Sequence, residues 1–161
     1  MVASAASKAN PETQRRIDNI CRSNEDYGFC NKVFQRDIPQ PDVDNFVLTN
    51  ITIVEALMNA SNSLEFIRAQ IAAVENDPVR LIYYKVCEDA YSILKQSFEL
   101  AFQAFKKGDY KEVQSNERES PRVQARCVTI FTLTQHNTMN ERNREMRILI
   151  TMALVSVTNI L

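Results

Sequence analysis

Apolar residues recur every three or four positions through most of this chain, the periodicity of helices that bury one stripe. The clearest run lies over residues 43–75, where Ile53, Leu57, Ala60, Leu64, Ile67, Ile71 and Val74 alternate four and three apart. That heptad seam predicts a long helix lying nearly parallel or antiparallel to its neighbours, with Asp42 as its N-cap. A second long helix is predicted over 79–105, with a seam of Tyr83, Cys87, Ala90, Leu94, Ser97, Ala101 and Ala104. Asn76-Asp77-Pro78 is the turn before it and puts Pro78 at the first helical position. Gly108, behind Lys106 and Lys107, ends it. The last helix, 140–161, presents Met146, Ile150, Ala153, Val157 and Ile160 on one stripe. Between these, 110–126 is weakly periodic, polar and interrupted by Pro121, which predicts a short helix followed by a loop. An apolar helical stretch over 127–133 follows. The charged Asn116-Glu117-Arg118-Glu119 segment reads as a solvated loop.

At the other end, Pro11 opens a short helix with Ile17 and Ile20 on one side, running to Cys21. Ser23-Asn24-Glu25-Asp26 breaks it, and 27–34 reads as a second short helix that Pro39 and Pro41 close off. The predicted architecture is all-α: an up-and-down four-helix bundle over 42–161, preceded by an N-terminal helical hairpin over 11–38. Together they form a single domain over 11–161, after a disordered segment over 1–10. The 161 residues suffice for one hydrophobic core. Two glycines and no tryptophan speak against hairpin-rich β architecture, and no apolar run reaches the roughly 18 residues a bilayer span needs.

Charge narrows the function classes. With 19 basic and 20 acidic residues the net charge is −1, so neither nucleic acid nor a membrane surface is an expected partner. The single His136 stands in a polar stretch and no C-x-x-C occurs, so no metal or cofactor is expected. A lone histidine, scattered carboxylates and no glycine-rich phosphate loop leave no acid–base machinery, and the chain is not expected to be an enzyme. Residues 1–8 are small and polar without a hydrophobic core, as in a mature N-terminus with an added Met or the remainder of a signal peptide. The four cysteines, Cys21, Cys30, Cys87 and Cys127, admit three disulfide pairings, or four buried thiols.

Helical spacing places Tyr83, Tyr84, Phe98, Phe102 and Phe105 in the core. Phe66 falls off the seam and either packs beneath the N-terminal hairpin or forms a partner contact. Two N-glycosylation sequons occur, at Asn50 and Asn59; the heptad phase turns Asn59 outward and makes it the candidate acceptor.

Several short motifs recur in one order and spacing. Ile20-Cys21 is followed nine positions on by Phe29-Cys30, and Asp77-Pro78 precedes Cys87-x-x-x-Tyr91. Gly108-Asp109-Tyr110 follows that helix, Phe131 lies four positions beyond Cys127, and the chain closes on Asn159-Ile160-Leu161. In this combination the chain resembles the plant invertase and pectin methylesterase inhibitors over nearly its whole length. Tyr27-Gly28-Phe29-Cys30 and Gly108-Asp109-Tyr110 are most similar to a pollen-type subgroup named for invertase inhibition, which includes allergens.

The resemblance implies disulfides Cys21–Cys30 and Cys87–Cys127. It also implies a protein secreted to the apoplast or cell wall, or carried to the vacuole, that blocks the cleft of a plant acid invertase or pectin methylesterase as a monomer or weak dimer. Pectin methylesterase inhibitors carry acidic residues two, six and nine positions beyond the third cysteine. Here those positions hold Asp89, Ile93 and Gln96, with Arg126 before the fourth cysteine and Val128-Thr129 after it. Invertase inhibitors carry Pro-Lys-Phe after the Gly-Asp, and here that triplet is Tyr110-Lys111-Glu112. Asp89 lies on the outer helix face, and either it or Lys111 can equally be a plain solvated charge. The alternative reading is a non-inhibitory relative on the same scaffold, serving a structural, storage or signalling role.

Overall fold

A computed structural model describes residues 8–161, and seven helices make up the fold: α1 (Pro11–Cys21), α2 (Tyr27–Asp37), α3 (Asn45–Ala73), α4 (Pro78–Lys106), α5 (Tyr110–Glu117), α6 (Ser120–Phe131) and α7 (Asn140–Thr158). Helices α3, α4 and α7 are three sides of an up-and-down four-helix bundle. The fourth side is α5 followed by α6, a rod broken at residues 118–119. The seams of α3 and α4 meet along the longest interface, and α7 closes the ring against α3 and the α5–α6 side.

Helix starts follow local chemistry. Asp44, rather than Asp42, caps α3: its Oδ1 accepts from the Val47 N–H at 3.0 Å, while Val43 is drawn into the core. Asp77 caps α4 ahead of Pro78, accepting from the Arg80 N–H at 3.2 Å. Pro121 lies in the first turn of α6, where its missing N–H costs nothing, so the predicted loop before Cys127 is helix from Ser120 onward. The second hairpin helix likewise runs on to Asp37, three residues past the predicted end.

The end of α4 is a Schellman motif. The Asp109 N–H donates to the Ala104 carbonyl at 3.0 Å and the Gly108 N–H to the Phe105 carbonyl at 3.0 Å. Gly108 takes φ of 75°, the left-handed region, and open space surrounds the position of a Cβ there. Gly108→Ala is therefore expected to cost only the backbone term, about 1 kcal/mol or roughly 2–4 °C in Tm, readable by thermal unfolding.

The buried stripe of α3 is shifted from the predicted one. Ile53, Ala60, Leu64 and Ile67 are buried, but Leu57, Ile71 and Val74 are only half-buried, and Thr49, Thr52, Ala56 and Ser63 take the centre. Small and hydroxylated side chains let α3 approach α7 closely. The Thr52 and Ser156 hydroxyls lie 2.9 Å apart, and the Thr49 hydroxyl donates to the Ser156 carbonyl at 3.2 Å. Tyr84 and Phe98 are buried as expected, while Tyr83, Phe102 and Phe105 are half-buried. Phe66 is half-buried, with the guanidinium of Arg142 from α7 4.4 Å over its ring.

The N-terminal hairpin docks on α7 and the start of α3. Cys21 and Cys30 are bonded across its turn, with Cα atoms 5.6 Å apart. Arg147 pairs with Glu25 at 2.5 Å and Arg144 with Asp26 at 3.0 Å, tying the turn to α7. These partners hold both carboxyls below the usual carboxylate range; for Asp26 the Phe29 N–H is the larger cause. At the other end the Val43 N–H donates to the Thr13 hydroxyl at 3.0 Å. Of the segment expected to be disordered, residues 1–7 lie outside the described residues. Lys8 donates to the Ile38 carbonyl at 2.5 Å and Asn10 caps α1.

Cys87 and Cys127 form the second disulfide, with Cα atoms 4.6 Å apart, binding α4 to α6 inside the core.

Candidate functional site

The predicted contact residues fall into two patches rather than one. Asp89, Ile93 and Gln96 are spaced to share a face of α4, and Tyr110, Lys111 and Glu112 open α5 just beyond that helix's end. From Asp89 to Lys106 the axial rise of α4 is roughly 25 Å.

At the elbow between α4 and α5, Asp109 caps the short helix by accepting from the Glu112 N–H at 3.1 Å. Tyr110 sits between two rings, 5.3 Å from that of Phe46 and 5.6 Å from that of Phe105. Its role is to prop the elbow against α3 and α4. Lys111 and Glu112 are exposed on the next turn. Beside them Lys106 lies 4.6 Å over the Phe102 ring, and Phe46, Phe102 and Phe105 line an open hollow between α3 and α4. The elbow thus presents an exposed cation, Lys111, on a backbone turn braced by Tyr110, with Lys106 and Lys107 close in the chain. It has the rigidity that a contact requiring no rearrangement needs.

The α4 patch has a different character. Asp89 is exposed and borders a shallow hollow with Ile82, Lys85, Val86 and Arg126. Its charge is set among two cations. Ile93 is half-buried against the core and Gln96 is exposed. Arg122, Thr129 and the exposed Leu133 continue the hollow along α6. This face is apolar with a basic rim rather than acidic.

Three features escaped the reading of the sequence. Glu117, assigned to a solvated loop, is 0% exposed at the end of α5, with no hydrogen-bond partner for either carboxyl oxygen among the described residues. Burial pushes its carboxyl up to about 8. A charged residue in a polar stretch gave no signal; its place four residues after the apolar Val113 was the one helical hint. Glu55 of α3 faces Arg36 of α2 at 3.0 Å, and burial, with Asp37 beside it, raises its carboxyl to about 7. Asn59 is half-buried, its Oδ1 accepting from the Ser63 hydroxyl at 3.4 Å, and so is less outward than its phase suggested.

No group of three or more histidine, cysteine or carboxylate side chains fit to hold a metal occurs among the described residues. No described helix is long and apolar enough to cross a membrane.

The fold is that of the plant pectin methylesterase inhibitors. It matches a mutant form of such an inhibitor from Arabidopsis with a TM-score of 0.76 at 18% identity, covering 89% of this chain and 95% of that one. A pectin methylesterase inhibitor from Arabidopsis thaliana matches at 0.67, with the same identity and coverage. In sequence, the chain is 25% identical over 101 residues to the cell wall/vacuolar inhibitor of fructosidase 2 of Arabidopsis thaliana. That match covers 63% of this chain and 56% of the relative, so the chain spans a little over half the length of the curated protein it matches. No family model matches the chain. The chain therefore resembles pectin methylesterase inhibitors in fold and an inhibitor of fructosidase in sequence, and both are named as inhibitors.

Proposed function

We propose that this chain is a proteinaceous inhibitor of a plant carbohydrate-active enzyme, and that its target is of the invertase (fructosidase) type. The observation that carries the choice is the elbow. Lys111 stands exposed on a turn held by the Schellman motif and the Phe46–Tyr110–Phe105 stack. A cation so placed complements the paired carboxylates of a glycoside hydrolase cleft. The pectin methylesterase reading has less support: of the three positions on α4 only Asp89 is acidic, and Lys85 and Arg126 flank it. The named target of the fructosidase inhibitor it resembles agrees with this choice. Inhibition needs no catalytic group, only a pre-organised surface, and two disulfides and a packed bundle supply one. The same relative supports a place in the cell wall or vacuole, and Asn59 is the sequon proposed to carry a glycan there.

The test is a parallel inhibition assay of the oxidised protein against plant acid invertase and plant pectin methylesterase. Invertase is expected to be inhibited, and Lys111→Ala to weaken inhibition about tenfold or more, the loss typical of a central contact. Asp89→Ala is expected to leave it unchanged. Inhibition of pectin methylesterase alone, sensitive to Asp89, would reverse the choice of target. No inhibition of either enzyme by the intact protein would favour the non-inhibitory scaffold reading.

A further inference from the structure

Where α3 ends, α4 begins and the 132–139 connection crosses over, polar side chains from three parts of the chain surround a small recess of about 70 Å³. Its walls are aromatic. Phe131 packs edge-on against Tyr83 at 5.8 Å and Tyr84 at 5.4 Å between ring centroids. The Tyr84 hydroxyl lies 2.6 Å from that of Thr138, which fixes the connecting segment over the recess. Arg80, His136, Gln70 and Thr134 also line this space, the first two as exposed residues at its rim. Thr134 also accepts from the His136 N–H at 3.2 Å, so the turn carrying the histidine is itself held in shape.

The chemistry of this lining is selective. No carboxylate lines the recess; the acid nearest its cation is Asp77, whose Oδ2 is 3.8 Å from the Arg80 Nε. That loose contact leaves most of the guanidinium fork free to donate. A metal ion would need several histidine, thiolate or carboxylate ligands, and His136 is the one such residue in the lining. An apolar ligand would leave the polar side chains unpaired. The recess has room for one oxyanion of four or five heavy atoms.

We propose that this recess is a binding site for a small oxyanion of the size of inorganic phosphate, with Arg80 donating in the bidentate manner suited to paired oxygens and His136, Gln70 and Thr134 completing the shell. The site is separate from both contact patches and does not depend on the inhibitor reading.

The experiment is a titration of the whole protein with sodium phosphate at constant ionic strength, sodium chloride making up the balance. Binding is read by calorimetry and by the amide resonances of residues 131–139. Saturable binding confined to that segment and to the start of α4 is expected. Arg80→Gln and His136→Ala are each expected to weaken it about tenfold, the scale of one charge-assisted contact. Arg15→Gln, an exposed arginine on α1, should bind as the parent does. Circular dichroism in chloride alone establishes that each variant is folded. A response that chloride reproduces, or full binding retained in folded Arg80→Gln, overturns the proposal.

Discussion

Glu117→Gln is expected to remove most of the dependence of stability on pH between acid and mildly alkaline conditions. The parent should be most stable at the acid end of that range. A carboxyl whose folded value is about 8 binds a proton more tightly in the native state than at its ordinary 4.5. The native state therefore carries the extra proton throughout that window, and stability falls as pH rises through it. Below 4.5 both states are protonated and the group contributes no slope. The total fall is on the order of 5 kcal/mol, half or more of the stability of a typical domain. Glu55 acts in the same direction up to about pH 7, more weakly because its shift is smaller and Arg36 opposes it. Glu25 and Asp26, lowered by their partners, act in the opposite sense and only at still lower pH. Urea unfolding at pH 5, 6.5 and 8 checks this. The parent midpoint should fall steeply across the series and that of Glu117→Gln clearly less, its remaining slope, due to Glu55, ending near pH 7. An equal slope in the variant would show that Glu117 is not the group responsible. An inhibitor working in an acidic wall or vacuole would meet this fold at its most stable.

The second large effect is expected from the Cys87–Cys127 bridge. Its 40-residue separation gives a loop-closure contribution of about 4 kcal/mol, against roughly 2.5 kcal/mol for the nine-residue Cys21–Cys30 loop. The longer bridge also anchors α6, whose start at Glu119 has no side-chain cap. Cys87→Ala/Cys127→Ala should therefore lower Tm by roughly 8–16 °C and loosen α6 selectively. Cys21→Ala/Cys30→Ala should cost less and leave α6 protected. Thermal scans with amide exchange of residues 120–131 separate the two. Equal losses, or an α6 that stays protected without its bridge, would mean that packing alone holds the fourth side of the bundle.

The long helices were legible in the sequence because their signals are local. Heptad spacing marks α3 and α4, Pro78 marks a start, and Gly108 with two lysines before it marks an end. Pro121 misled, since a proline in a weak pattern reads as a break, and only the fold shows it opening α6. The phase of α3 was displaced for a related reason: Thr49, Thr52 and Ser63 are polar by type and buried by pairing, so a count of apolar residues passes over them. The hairpin's docking rests on Glu25–Arg147 and Asp26–Arg144, pairs more than a hundred residues apart that no local pattern announces. Of the candidate site, Lys111 and Asp89 were recognisable as charges at motif positions. That Tyr110 would be a prop, and that Arg126 would join Lys85 around Asp89, required the helices to be assembled first.

The buried polar pairs that α7 makes with α3 and α4 have a consequence for how many ways this chain can fold. Two helices faced with alanine, leucine and isoleucine can slide past each other by one turn and lose little contact. Thr52 opposite Ser156, and Tyr91 donating to the Asn143 Oδ1 at 2.9 Å, allow no such freedom. A slip of about 5 Å would carry each buried donor away from its acceptor and leave both without water. These pairs add little to how tightly the bundle holds. They exclude its near-copies, and so leave the bundle one packing rather than several.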